Sequence, residues 1–308
     1  GEPGATVPLP PADGVFSRGL VARLPGRELG DDELYQFIEK DWFSGEDEYD
    51  RILETGWQNY TIMHQCRVQQ PPVTNPQEIF ARFGEVGAHG AEAAMFFLQR
   101  GVEPITHASA APVFDTLSLM HSLEPFLMDL VLIPGKVMDV VNAATPSVIE
   151  QAVGMLRQAH GTRIAIWAMR SSATFISPAM FEEYAWPPLK KMIEAFWAAG
   201  AVSVIHCDAN WLPMLGYFLE LPKGSVHFEL DGATDIFKAY DIVGGWHSMR
   251  GDVPAAMLAY GTPDEVSEYC EKLVTQLGMK GGFMLGSGCE VPLNAKLENV
   301  KALMNAVK

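Results

Sequence analysis

Short apolar runs alternate with amphipathic stretches along most of this chain, and several of the runs end in polar side chains. Runs at 102–106, 163–169, 202–206, 226–230, 246–250 and 282–286 read as strands. Helical patterns lie between them, at 114–132, 134–160, 179–199, 211–220, 234–240 and 263–277, and a last one follows at 295–307. Strands that alternate with helices at this spacing form right-handed βαβ units on a parallel sheet. No G-x-G-x-x-G follows any strand, which argues against an open dinucleotide-binding sheet. The expected fold is α/β, a (β/α)8 TIM barrel, with six of its strands legible and with Ile164, Ile166, Val204, Val226, Phe228, Leu230 and Leu285 buried.

The N-terminal part differs. Residues 1–30 are rich in Pro and Gly and read as an irregular lead-in, whereas 31–308 read as a single barrel domain. A helix is expected from Asp31 to about Met63, because Asp31 and Asp32 make good N-terminal caps. A further helix is expected from Pro76 to about Arg100.

Composition narrows the function. The 308 residues carry a formal charge of −16, which argues against binding nucleic acid or anionic membrane, since both reward clustered positive charge. Four cysteines in a chain this long are no disulfide framework and suggest a reducing, cytoplasmic setting. No apolar run reaches the length needed to span a bilayer.

The chemistry gathers at strand ends, where the loops of an α/β barrel build its catalytic face. Val202–Cys207 leads into Asp208, and Phe283–Leu285 leads into Gly286-Ser287-Gly288-Cys289. His206 and Cys289 are the natural metal candidates, since zinc takes imidazole and thiolate and leaves one position open in a catalytic site. Side chains alternate faces along a strand, so Asp208 shares the face of His206 and is the first choice as third ligand. Glu229 is the next choice and Cys207 a poorer one. In the strand 226–231 the same alternation turns Val226, Phe228 and Leu230 towards the helices and His227, Glu229 and Asp231 inward. One of Glu229 and Asp231 is expected to stay protonated near neutrality in the absence of metal, because crowded carboxylates repel. Arg170 and Arg250 end strands and could hold an acidic group in bidentate fashion, or equally could pair with a barrel carboxylate such as Asp231 or Asp252. Ser172 follows Arg170 in its loop, and His107 ends a strand candidate, so both are pocket candidates. Cys66 and Cys270 read as packing, and His64, His89, His121 and His160 as structural or surface residues.

These stretches also carry a family resemblance. Asp47-Glu48-Tyr49-Asp50, Pro112–Leu117, Ser177–Tyr184, Val204–Asp208, Glu229–Ile236, Gly251-Asp252-Val253-Pro254, Gly286–Pro292 and Glu298-Asn299-Val300 resemble the uroporphyrinogen decarboxylase superfamily. The likeness is to its cobalamin-dependent methyltransferase branch, the relatives that demethylate ethers or act on methylcobamide. It implies a (β/α)8 barrel, and it leads us to expect that part of the N-terminal segment with the first strand lies outside this chain. The Arg-Gln-Ala-Gly-Arg motif of the decarboxylases proper is not found. The zinc methyltransferases that serve coenzyme M carry His-x-Cys and a distant Cys. His206 and Cys289 match the first and last of these, and Asp208 stands where the middle Cys would be. The resemblance therefore implies a zinc methyltransferase that moves a methyl group between a small ether, amine or thiol and a corrinoid (cobalamin). Zn2+ would sit on His206, Asp208 and Cys289. Glu229 or Asp231 would handle the proton, and Arg170, Arg250, His107 and Ser172 would bind substrate. A corrinoid protein and a small methylated substrate are the implied partners, with a homodimer as a compatible assembly. The alternative is a metal-free decarboxylase of a porphyrinogen-like or other polyacid.

Overall fold

In the computed structural model, residues 20–23, 29–30, 33, 36–68 and 72–307 are described. They divide into two compact units, Gly1–Ile105 with Thr116–Ser147 and Thr106–Asp115 with Val148–Lys308. No helix among the described residues is long and apolar enough to cross a membrane.

In the first unit, β1 (Leu20–Arg23) pairs antiparallel with β2 (Gln36–Glu39). This corrects two expectations. Part of the supposed lead-in is a strand, and the helix expected from Asp31 begins only at Asp47, running to Thr55 before a second helix at Trp57–Val68. Asp31 and Asp32 lie outside the described residues. Acidic side chains do start a helix here, but they are Asp47, Glu48 and Asp50. The buried Glu48 carboxylate is the hub of this region. It accepts hydrogen bonds from Tyr60 (2.6 Å), Ser44 (2.8 Å), Arg51 (2.9 Å) and Arg67 (2.9 Å). Burial alone would raise its pKa, but these donors outweigh burial and hold it at about 2. The helix Pro76–Leu98 starts as expected, with the Asn75 side chain accepting from the Gln77 amide. The stretch read as one helix from 114 to 132 is two, Val113–His121 and Leu123–Leu132. Ser122 breaks it with a φ of +70°, a left-handed conformation that an α-helix cannot contain.

The second unit is the α/β part. Six parallel strands follow one another in chain order: β3 (Ala108–Ala110), β4 (Arg163–Ala168), β5 (Val202–Cys207), β6 (Val226–Leu230), β7 (Ser248–Val253) and β8 (Phe283–Ser287). Each strand pairs with the next, as in an α/β barrel, whereas the order of a doubly wound sheet reverses at a switch point. Among the described residues this sheet has six parallel strands, where a complete barrel has eight. Five of the strands lie close to where the sequence places them. β3 does not. The apolar run Val102–Thr106 was the expected strand, but it is the small residues Ala108–Ala110 that pair with Ile164, Ala165 and Ile166. The helix expected at 211–220 is a 3-10 helix, Leu212–Glu220, and the one expected at 179–199 opens with a π turn before Trp186–Ala198.

The outward face of the sheet is the apolar core. Ile164, Ile166, Val226, Phe228 and Leu230 are buried there, as alternation requires, and Val204 is buried on the opposite face, which it shares with His206. Phe228 meets Phe218 at 4.9 Å between ring centroids, edge to face. Burying a side chain of this size stabilises the fold by about 1.5–3 kcal/mol. Leu285 was expected in this core and is only half-buried. It lies on β8, which ends the six-stranded sheet of the described residues. Local capping matches the sequence well. Thr262 and Glu265 form a reciprocal capping box at the start of Pro263–Gln276, and Asp235 caps Ile236–Val243.

Candidate metal centre

The register of the sheet fixes one inward level. Trp167, His206, Glu229, Arg250 and Met284 are successive Cα partners across β4 to β8. Partners in a parallel sheet point to the same side, so five side chains from five strands meet on the face opposite Phe228. A level below them, His227 bonds Ser248 at 2.8 Å.

Three groups converge around the His206 ring. Its Nε2 lies 3.2 Å from Asp208 Oδ1 and 3.9 Å from Cys289 Sγ, and its Nδ1 lies 3.4 Å from Glu229 Oε2. Glu229 in turn accepts from Arg250 Nη1 at 2.9 Å. Burial alone would lower the His206 pKa, but the acceptors Asp208, Cys289 and Glu229 outweigh it and push it up to about 12. The surroundings thus call for a positive charge at this point, a proton or a cation. For Glu229, burial would raise the pKa, but His206 and Arg250 prevail and hold it below the usual carboxylate range. Of the two carboxylates expected to crowd one another, Glu229 thus faces His206 and Arg250 rather than Asp231.

The donor set suits a zinc ion. Ligand atoms of His206, Asp208 and Cys289 all lie within 4.8 Å of one another. A tetrahedral ion with bonds of about 2.0–2.3 Å keeps its ligands about 3.3–3.8 Å apart, close to the separations found here. Glu229 behind Nδ1 supplies the carboxylate that orients a metal-binding imidazole.

Backbone geometry makes the approach of Cys289 feasible. A Cβ on Gly288 would lie 2.7 Å from the Asp231 backbone, and one on Gly286 would lie 2.7 Å from Arg250 Nε. At Gly288 a glycine is needed for the chain after β8 to pass this close to the Asp231 backbone, whereas at Gly286, within β8, an added Cβ would displace the Arg250 side chain. The Gly288 amide donates to the Val253 carbonyl, and the Ser287 hydroxyl to the Cys289 carbonyl at 2.6 Å.

The remaining sequence candidates fall elsewhere. Asp231 accepts from the Ala209 amide at 2.7 Å and the Ala233 amide at 2.8 Å, so it braces the loops after β5 and β6. Arg250 is engaged with Glu229, not with Asp231 or Asp252. Asp252 is instead bonded by the Tyr269 hydroxyl at 2.7 Å. Arg170 places its guanidinium 5.3 Å from the Phe175 ring centroid, while its amide donates to the buried Asp115. Ser172 is buried, and its Oγ has no hydrogen-bond partner among the described residues. His107 precedes β3 rather than ending a strand, and its amide bonds the carbonyl of Arg163 at the first residue of β4. It stands at the end of the sheet away from His206, because the strand lies six residues beyond the expected start. Cys207 is fully buried, and burial pushes its thiol pKa well up, as suits a residue facing the helices. Sequence reasoning missed Trp167, whose ring lies 5.3 Å from that of His206. Its signal, an aromatic near the end of a strand, becomes informative only once the register is known.

The uroporphyrinogen decarboxylase (URO-D) family model matches residues 98–308. The chain belongs to this family. Among solved structures, a methyltransferase from Methanosarcina mazei is similar over 89% of this chain and 72% of its own, with a TM-score of 0.58 and 16% identity. That likeness is one of fold. No curated protein matches the chain.

Proposed function

We propose that this URO-D family member is a zinc-dependent methyltransferase that moves a methyl group between a small methylated substrate and the corrinoid of a partner protein. The convergence of His206, Asp208 and Cys289, with Glu229 behind the ring, carries the reading. The solved methyltransferase from Methanosarcina mazei, alike in fold, lends it support. Bound zinc supplies Lewis acidity towards the substrate heteroatom.

The chain's own residues do the rest. Asp208 and Cys289 bring two negative charges to the centre, and His206 presents Nε2 to it. Glu229 fixes the imidazole from the other side and is itself fixed by Arg250. Glu229 is also the nearest carboxylate able to take the Nδ1 proton, so it is the residue assigned to proton handling. A polyacid decarboxylase would need free cations on the inner face. Arg250, the one Arg or Lys on the inward level among the described residues, is already paired with Glu229, so the decarboxylase alternative has less support.

Two measurements test the proposal. Protein purified without chelator should contain about one zinc per chain. Mixed with a cob(I)alamin carrier and methylated ethers, amines or thiols, it should convert the corrinoid spectrum to the methylated form. An unchanged spectrum across a broad donor panel, at full zinc content, would remove methyl transfer.

A further inference from the structure

We propose that Trp167 sets the substrate class of this site by stacking a flat, uncharged aromatic ring beside the His206–Asp208–Cys289 group. The inference rests on the methyl-transfer reading and names the substrate it would take.

Exposure alone singles out nothing, since Trp197 at 39% and Trp246 at 40% are as exposed as Trp167 at 40%. Position distinguishes them. Trp246 spends its indole N–H on the Leu221 carbonyl at 2.7 Å, and Trp197 belongs to the helix Trp186–Ala198. Trp167 is the Cα partner of His206 and meets its ring nearly edge to face, at an interplanar angle of 61°. A large apolar face left accessible next to polar catalytic groups is a pattern of ligand sites, where aromatic side chains supply area and a few polar atoms fix orientation. Neighbouring strands lie about 4.8 Å apart. A ring seated on Trp167 therefore carries its substituent oxygen towards the next strand, where His206 stands. At the other end of the level Met284 is 50% exposed, and a thioether also packs well on aromatic rings.

Charge decides between kinds of ring. A divalent ion would be balanced by the Asp208 carboxylate and the Cys289 thiolate, and Glu229 balances Arg250 at 2.9 Å. Asp231 has both oxygens bonded to backbone amides. The inward level keeps no charge to spend on a carboxylated or cationic substrate, so the ring it takes is neutral, as in an aryl methyl ether.

The test uses calorimetry on the purified, zinc-loaded chain with three probes: 4-methoxybenzyl alcohol, 4-methoxybenzoate and phenyltrimethylammonium. The neutral ether should bind about tenfold or more tightly than either ion. Trp167→Ala should weaken it by about tenfold, and Trp167→Phe should retain most of the affinity, with zinc content and melting temperature unchanged in both. Should the alanine variant not fold, Trp167→Leu, which keeps apolar bulk but loses the aromatic face, should show the same loss. Equal binding of the neutral ether by wild type and the folded variant would overturn the proposal, as would tighter binding of an ion or no binding of any probe. A wild-type protein without zinc would instead sink the methyl-transfer reading, while the effect of Trp167 on ring binding could still be read on that protein.

Discussion

Among the described residues, two histidines have acidic partners on both ring nitrogens, yet only one of them has the makings of a metal centre. In the first unit, His121 Nδ1 lies 2.9 Å from Asp41 and its Nε2 2.9 Å from Asp129. The Tyr49 hydroxyl donates to the same Asp129 oxygen at 2.9 Å, and Phe43 stacks on the imidazole at 4.6 Å between centroids. In the second unit, His206 has Glu229 on one nitrogen and both Asp208 and Cys289 on the other. His121 has one partner per nitrogen, so each is satisfied and an aromatic lid covers the ring. At His206 a carboxylate and a cysteine sulfur crowd a single nitrogen, and the indole of Trp167 meets the ring nearly edge to face. Surplus acceptors around one point call for a cation, whereas matched donors and acceptors make a brace.

The strongest way to break this contrast is to remove ligands. Cys289→Ala or His206→Ala should lower zinc from about one per chain to near zero by elemental analysis, while His121→Ala leaves it unchanged. Zinc retained in Cys289→Ala would show that the surplus at Nε2 is not what binds the ion. Replacing Glu229 by Gln keeps the shape but removes the charge behind Nδ1. Zinc affinity should fall by about 10–100-fold in a chelator competition, and methyl transfer by about a hundredfold if Glu229 handles the proton. An intact rate would assign it to orientation alone. The brace is tested by stability instead. His121→Ala leaves the Asp41 and Asp129 carboxylates without the imidazole between them, and each hydrogen bond lost to a charged group costs about 1.5–3 kcal/mol when it is buried. The Asp41 side chain is 41% exposed, so about 2 kcal/mol is expected in urea unfolding.

The smallest effect concerns acidity in the second unit. Burial raises the pKa of Asp115 to about 6, against hydrogen bonds from the Ser171 hydroxyl and the Arg170 and Ser171 amides. Burial raises Asp252 to about 6 as well, with Tyr269 opposing. Each native carboxyl holds its proton more tightly than in the unfolded chain, so the native state carries more protons between about pH 4 and 6. Stability should therefore fall by about 1 kcal/mol per pH unit, for each group, as pH rises through that window. Asp115→Asn should flatten the slope, and an unchanged profile would mean that the buried carboxyl stays charged.

The legible part of this molecule is that in which apolar periodicity and strand-end chemistry coincide. Val226, Phe228 and Leu230 alternate strictly with His227 and Glu229, and both the burial of that strand and its inward carboxylate follow. His206, Asp208 and Cys289 could be grouped because each closes an apolar run. β3 was misplaced because Ala108-Ser109-Ala110 carries no apolar signature, and its pairing depends on β4 alone. β2 was missed because Asp31 and Asp32 resemble helix caps. The roles of Asp231 and Arg250 depend on partners far away in sequence, the amides of Ala209 and Ala233 and the carboxylate of Glu229. Trp167 was invisible as a site residue because nothing local records which strand lies beside it.

The distance along the chain between His206 and Cys289, 83 residues, has a mechanical meaning. An ion held by both would fasten the outermost strand to the middle of the sheet, as a covalent cross-link would. Closing a loop of that size removes about 4–5 kcal/mol of chain entropy from the unfolded ensemble. Loading with metal should then slow the fraying of β8 and the helix Leu297–Asn305 more than it slows opening anywhere else, so the C-terminal edge would report on cofactor occupancy without any catalysis taking place.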